Sequence, residues 1–264
     1  MIKAIFFDCD GTLLSHRTNR VPASAVKSLQ HLRHAGVKVI LSTGRHRSEL
    51  KELTQLKDLS FDGYITVNGA SCYTDRGSLL NTPVPREAVQ QVYAWLQEHE
   101  LPVQFFLEED SFISCVNDTV IRAQERIHTP VPPTGDLNRI LNEPVYLMVP
   151  FGIPEARPLL ETLQGVSITT WNEHDALDVV NQNAGKAAGV LAFAAYYGLQ
   201  KEELMAFGDA MNDRSMLEEV GTAVVMGNGD AELKSCADYV TGDIDDDGLF
   251  QALKQFGLIT EEEI

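Results

Sequence analysis

The chain has 264 residues, 44% of them hydrophobic and 22% charged, and carries a formal net charge of −17. That charge argues against nucleic acid or an anionic membrane as partner, and an anionic substrate would need local positive charge or a metal to enter. Four scattered cysteines (Cys9, Cys72, Cys115, Cys236) point to a reduced, cytoplasmic setting rather than a disulfide framework or zinc site, and neither an export signal nor a bilayer-spanning apolar run is read.

In chain order, Ala4–Phe7 reads as a short buried strand that runs into a glycine turn. A helix near Pro22–His34 follows, with Val26, Leu29 and Leu32 on one face and Gly36 as its stop. Val37–Leu41 is a second strand, Arg47–Leu56 a helix, Tyr64–Val67 a third strand, and Cys72–Gly77 a short hairpin. Such alternation favours a parallel sheet covered by helices.

The texture changes near Thr82-Pro83-Val84-Pro85. An amphipathic helix carries Val89, Val92, Trp95 and Leu96, then two strands (Val103–Leu107 and Ser111–Val116) flank an acidic turn, and Pro130, Pro132 and Pro133 mark a loop. Val145–Val149, Ser167–Trp171 and Leu177–Val180 read as strands and Glu155–Gln164 as a helix. From about Gly185 the alternation resumes: helices at Ala187–Tyr197, Arg214–Val220, Leu233–Ala237 and Leu249–Phe256, and strands at Leu204–Phe207 and Ala223–Met226. The expected fold class is α/β, with a Rossmann-like parallel-sheet core of residues 1–81 and 183–264 into which an α+β unit, residues 82–182, is inserted.

Four polar constellations fall at or near strand ends, where parallel sheets bind their ligands. Asp8 and Asp10 lie two residues apart, so in extended backbone they project to the same side while Cys9 points away. Two such acids repel unless a cation sits with them or one keeps a proton. Asp8, fixed by the strand, suits a nucleophile or metal ligand, and Asp10, at the turn, a general acid and base. Ser42-Thr43-Gly44-Arg45 follows the second strand and offers a hydroxyl and free N–H groups to an anion, though a plain helix cap reads equally well. Lys186 follows Gly185 at a helix start and could neutralise acids or bind phosphate as a point charge. Gly208-Asp209-Ala210-Met211-Asn212-Asp213 gathers two carboxylates and an amide on a turn, hard oxygen ligands of the kind Mg²⁺ takes.

With these residues in this order, the chain resembles the haloacid-dehalogenase-like phosphohydrolases, and within them the Cof-type sugar-phosphatase-like branch. Asp8–Leu14, Ser42–Arg45, Lys186 and Gly208–Asp213 resemble the family's four motifs, and Asn68-Gly69-Ala70 and Met226-Gly227-Asn228-Gly229 those of the branch. The resemblance implies a Mg²⁺-dependent phosphatase of small phosphorylated metabolites that works through an aspartyl-phosphate, the inserted unit being a cap that selects the substrate. Asp8 would be the nucleophile and Asp10 the acid and base, with Mg²⁺ held by Asp8, the Asp10 backbone carbonyl and Asp209 and its water oriented by Asp213. Thr43, Gly44, Arg45, Lys186 and Asn212 would bind the substrate. The expected partner is a small-molecule phosphate ester, with no nucleic acid and no membrane, for a monomer or homodimer. A phosphomutase or a non-catalytic phosphate-binding relative would share the same first motif. In the inserted unit Gln104, Asn117, Trp171, Asn172 and His174 are candidates for substrate contact, though each reads more readily as surface or turn.

Overall fold

The computed structural model describes residues 1–126, 129–171 and 176–261. Among them the chain divides into two compact units: one of Met1–Arg45, Glu49–Asn81 and the chain from Gly185 onward, the other of His46–Ser48 and Thr82–Ala184.

The first unit begins with β1 (Ala4–Asp8), α1 (Ala23–His34), β2 (Lys38–Ser42), the short helix α2 (Arg47–Glu52, shared with the second unit at its start), β3 (Gly63–Thr66) and a hairpin of β4 (Ser71–Thr74) and β5 (Gly77–Asn81). The second unit supplies α3 (Arg86–Leu96), β6 (Val103–Phe106), β7 (Ser111–Ile113), α4 (Asp118–Arg126), β8 (Leu147–Pro150), α5 (Ile153–Leu160), β9 (Val166–Thr170) and β10 (Leu177–Asn181). The chain then returns through α6 (Lys186–Tyr197), β11 (Leu204–Gly208), α7 (Arg214–Glu218), β12 (Thr222–Val225), α8 (Ala231–Lys234), β13 (Tyr239–Val240) and α9 (Gly248–Gln255).

In the first unit eight strands lie in the order β13-β12-β11-β1-β2-β3-β4-β5. The six from β13 to β3 are parallel, and the β4–β5 hairpin extends the edge antiparallel. Side chains alternate across this sheet as its pleat requires. Ile5 and Phe7 of β1 join Val39 and Leu41 in a cluster with Leu29 and Leu32 of α1 and Leu249 and Leu253 of α9. Ala4 and Phe6 face the other way, into a cluster with Ile40, Val190 and Phe193 of α6 and Met216 and Leu217 of α7. With apolar side chains on both faces β1 is buried throughout, and full burial of a phenylalanine such as Phe6 or Phe7 contributes about 2–3 kcal/mol. That fixes the strand which delivers Asp8. Helices stop where glycine can turn left-handed: Gly36 (φ 84°) follows α1 and Gly198 (φ 67°) follows α6.

The second unit is a five-stranded antiparallel sheet in the order β7-β6-β8-β10-β9. Val103 and Phe105 of β6, Met148 of β8 and Leu177 and Val179 of β10 bury one face against Val89 and Val92 of α3 and Ala156, Leu159 and Leu160 of α5. His46 belongs to this unit: it is buried, one ring nitrogen lies 2.7 Å from the Leu107 carbonyl, and burial lowers its pKa to about 4.

Candidate active site

In the first unit β1 pairs with β2 on one side and β11 on the other, in a register that sets Asp8 beside Ser42 and Phe7 beside Phe207. The three strands are parallel and end level, so the loops after them converge. Asp8 is buried at the end of β1, and Cys9 turns into the apolar cluster. The chain then folds back, with the Leu13 and Leu14 amides donating to the Cys9 carbonyl at 2.9 and 2.7 Å. Gly11 makes this possible at φ 89°, and a Cβ there would fall 2.2 Å from Asp209 Oδ2. Only glycine lets the turn pass so close to the Asp209 carboxylate at this φ. Thr12 Oγ1 donates to Asp209 Oδ1 at 2.8 Å, and Asn228 Nδ2 donates to the Gly11 carbonyl at 2.8 Å, so the turn after β1 is held to the loop after β11 and to the segment following β12.

Lys186 opens α6 and is fully buried. Its ammonium donates to Asp8 Oδ1 at 2.6 Å, to Asp213 Oδ1 at 2.5 Å and to the Ser42 carbonyl at 3.2 Å. Three acceptors use all three N–H groups of a lysine. Asp213 is equally occupied, its Oδ2 accepting from the amides of Asp209 and Ala210 at 3.0 and 3.2 Å.

The electrostatics follow from crowding. One oxygen each of Asp8, Asp209 and Asp213 lies within 4.8 Å of the others. Burial, and then the charge of Asp213, raise the pKa of Asp8 well above the usual carboxylate range, against the pull of Lys186. Burial chiefly, with Asp213 adding to it and the Thr12 hydroxyl opposing, raises Asp209 to about 6. Burial alone would lower Lys186, but Asp8 and Asp213 outweigh it and hold the ammonium charged. Three buried carboxylates facing one ammonium leave an excess of negative charge. Asp209 takes its hydrogen bond from a neutral hydroxyl, while Lys186 donates to Asp8 and Asp213. These hard oxygen donors fit a divalent cation of the Mg²⁺ type, which relieves that excess without protons.

The loop after β2 makes the facing wall. The Thr43 amide donates to Ile65 O at 2.8 Å and Asn68 N donates to Thr43 O at 3.0 Å, tying this loop to the one after β3. Thr43 Oγ1 accepts from Arg45 N at 3.1 Å, which leaves its O–H to donate outward. Ser42 Oγ is buried and finds no partner among the described residues. Val67 and Asn68 both sit in the left-handed region, at φ 51° and 49°, a strained conformation of the sort that gathers at functional sites. The strain sets Asn68 against Gly44, where a Cβ would lie 3.3 Å from its amide, and lets Asn68 Oδ1 accept from Asn212 Nδ2 at 3.1 Å. Arg45 grips Asp10 with two parallel bonds, Nε to Oδ2 and Nη2 to Oδ1, both 2.8 Å.

The structure thus brings together Asp8, Asp10, Thr43, Gly44, Arg45, Lys186, Asp209, Asn212 and Asp213. It adds Thr12, Asn68 and Asn228, to which the sequence reading gave no task. A left-handed requirement at Asn68-Gly69 was the available signal for one of them. In the second unit Gln104 donates to Ser111 Oγ at 3.2 Å, Asn117 accepts from the amides of Thr119 and Val120 as the cap of α4, and Trp171 Nε1 donates to Asp178 at 2.8 Å. Asn172 and His174 lie outside the described residues.

Residues 5–253 match the family model described as haloacid dehalogenase-like hydrolase. YkrA of Bacillus subtilis (strain 168), named as a phosphatase, is 31% identical over 259 residues, which cover 97% of this chain and 98% of YkrA. Pyridoxal phosphate phosphatase YbhA of Escherichia coli (strain K12) is 28% identical over 265 residues, 94% of this chain and 96% of YbhA. Among solved structures, the HAD phosphatase BT1666 of Bacteroides thetaiotaomicron superposes with a TM-score of 0.85 at 32% identity, over 98% of this chain and 96% of that one. The HAD subclass IIB sugar phosphatase BT4131 gives 0.79 at 34% identity, over 97% and 100%.

Proposed function

The chain belongs to the haloacid dehalogenase-like hydrolase family, and from that membership we propose that it hydrolyses small phosphomonoesters through a phosphorylated Asp8. It is a phosphatase of small phosphorylated metabolites. The observation that carries the covalent reading is the position of Asp8, rigid at a strand end and paired with a buried lysine.

In this mechanism Asp8 attacks phosphorus in line, the P–O bond to the leaving alcohol breaks, and Asp10 gives that oxygen a proton. A water then attacks the phosphorus of the aspartyl-phosphate, Asp10 takes its proton, and Asp8 departs as carboxylate with release of inorganic phosphate. The transferring oxygens would rest on the Thr43 hydroxyl, the Gly44 amide and Asn212. Lys186 spends its donors on Asp8 and Asp213 before substrate arrives, so it serves first to hold Asp8 in place. As Asp8 bonds to phosphorus its negative charge leaves with the alcohol oxygen, which the Asp10 proton neutralises, and the phosphoryl oxygens now carried on Asp8 keep their own charge beside the same ammonium. Mg²⁺ would be held by Asp8, the Asp10 carbonyl and Asp209, with Asp213 behind them. It supplies charge neutralisation for the phosphoryl group, the main demand of this reaction.

The relatives named for pyridoxal phosphate and sugar phosphates place the candidate substrates among small phosphorylated metabolites, and we assign the choice between them to the second unit. The four free thiols fit a reducing, cytoplasmic setting, and among the described residues no helix is long and apolar enough to cross a membrane. The test is turnover of para-nitrophenyl phosphate and a panel of small phosphomonoesters, with Mg²⁺ and with chelator. Mg²⁺-dependent release of phosphate that Asp8→Asn abolishes is expected; a metal-independent rate, or activity kept by Asp8→Asn, contradicts the reading.

A further inference from the structure

Arg45 follows Thr43 and Gly44, which the proposed function assigns to the phosphoryl oxygens, yet its guanidinium is spent on a neighbouring carboxylate. Nε and Nη2 take one Asp10 oxygen each at 2.8 Å, and both side chains are about 30% exposed. The arginine is itself anchored: its amide donates to Thr43 Oγ1 at 3.1 Å, and its carbonyl accepts from Val67 N at 3.1 Å. A fork of this kind fixes the carboxyl plane as well as its distance.

The two half-reactions ask different things of Asp10. To protonate a leaving alcohol it must carry an O–H, and an acid O–H on either oxygen would set a donor against a donor of the fork. To take a proton from water it must begin as a carboxylate, which accepts both arginine bonds and keeps a lone pair on each oxygen for the water. The fork therefore suits the second half-reaction and must loosen for the first.

We propose that Arg45 is a positioning residue that holds the Asp10 carboxylate toward the attacking water, so that its grip governs breakdown of the aspartyl-phosphate rather than its formation. The inference rests on the roles of Asp8 and Asp10 given above. In the step concerned, the water oxygen bonds to phosphorus, its proton passes to an Asp10 oxygen, the Asp8–phosphorus bond breaks, and Asp8 leaves as carboxylate.

The experiment compares wild type, Arg45→Ala, Arg45→Lys and Asp10→Asn with para-nitrophenyl phosphate and Mg²⁺, a substrate whose leaving group needs no acid. Steady-state kinetics are combined with acid quench and mass measurement of the phosphorylated enzyme. Arg45→Ala should lower kcat about 10- to 100-fold while kcat/KM changes by less than about 3-fold, with phosphoenzyme accumulating after a burst of nitrophenol. Arg45→Lys, which keeps the charge but not the fork, should fall between. The burst itself shows that a variant is folded, and Arg45→Lys carries the test if the alanine variant is unstable. Equal falls in kcat and kcat/KM without phosphoenzyme would overturn the proposal and make Arg45 a phosphoryl-binding residue. Unchanged kinetics would overturn it as well. Asp10→Asn separates the two levels: accumulation there but not in the Arg45 variants refutes the positioning role alone, whereas no accumulation in any variant refutes the reading of Asp10 and the proposal together.

Discussion

Lys186→Met removes the ammonium and keeps most of the stem, so it isolates the charge. The lost group serves three acceptors in a fully buried place, two of them carboxylates at 2.6 and 2.5 Å. Breaking a buried pair from one side leaves uncompensated charge and costs about 3–5 kcal/mol. At about 2–4 °C per kcal/mol for a chain of this size, the melting temperature should fall by roughly 6–20 °C. The pH dependence has a definite sign. The folded-state pKa of Asp8 is already raised, so the proton it holds contributes stability below the unfolded value that is lost as pH rises through the folded one. Loss of Lys186 raises that folded value further, so the penalty should be larger at about pH 7.5 than at about pH 5. Adding Asp213→Asn removes one stranded charge while its amide oxygen still accepts from Asp209 and Ala210, and should recover about half of the loss. Thermal unfolding in chelator measures all three proteins. A Lys186→Met variant melting within about 1 °C of wild type, or a penalty that grows as pH falls, would refute the charge accounting.

Gly11→Ala forces a side chain into a φ of 89° and against Asp209 Oδ2, so strain of about 1–3 kcal/mol should be accompanied by a loss of Mg²⁺ affinity of at least about 10-fold by calorimetry. Unchanged affinity would remove Asp209 from the metal set. Asp209 is raised to about 6 and Asp8 also lies well above the usual carboxylate range, so at low pH Mg²⁺ must displace protons from both, and its affinity should fall at least about tenfold per pH unit below pH 6. In metal-free protein the raised pKa of the Asp209 carboxyl makes its proton a stabilising feature at low pH, which is lost as pH rises through about 6. Calorimetric affinity and thermal stability that are flat between pH 5 and 7 would contradict both statements. Exchange of residues 82–182 for those of a relative should move substrate preference across a phosphometabolite panel; preference that stays with the first unit would exclude the second as its source.

What was legible in the sequence follows physical locality. Strand residues whose alternate neighbours are apolar, such as Ile5 and Phe7 against Ala4 and Phe6, announce a sheet buried on both faces, and the acids at its strand ends announce a site. Elements with thin apolar signals escaped. The helix α4 buries Val120, Ala123 and the polar Gln124, too narrow a stripe to read from sequence, and β13 is only two residues long. Several strands and helices also end up to four residues away from their expected bounds, as where α2 stops at Glu52 rather than Leu56 and α5 at Leu160 rather than Gln164, since termini are set by hydrogen bonding that composition does not show. In the site, spacing brought Asp8, Lys186 and Asp209 into view but not their partners. That Lys186 spends every donor on protein, that Arg45 turns to Asp10, and that Asn68 adopts a left-handed backbone all depend on contacts between loops far apart in the chain.

The covalent role of Asp8 is the central claim, and one measurement addresses it most directly. Enzyme mixed with excess para-nitrophenyl phosphate and Mg²⁺ is quenched in acid within a turnover and digested, and the peptide containing Asp8 is weighed. A mass increase of one phosphoryl group on Asp8 in wild type, absent from Asp8→Asn, is predicted. Turnover with no phosphoryl group on that peptide, or with the group on another residue, would contradict it.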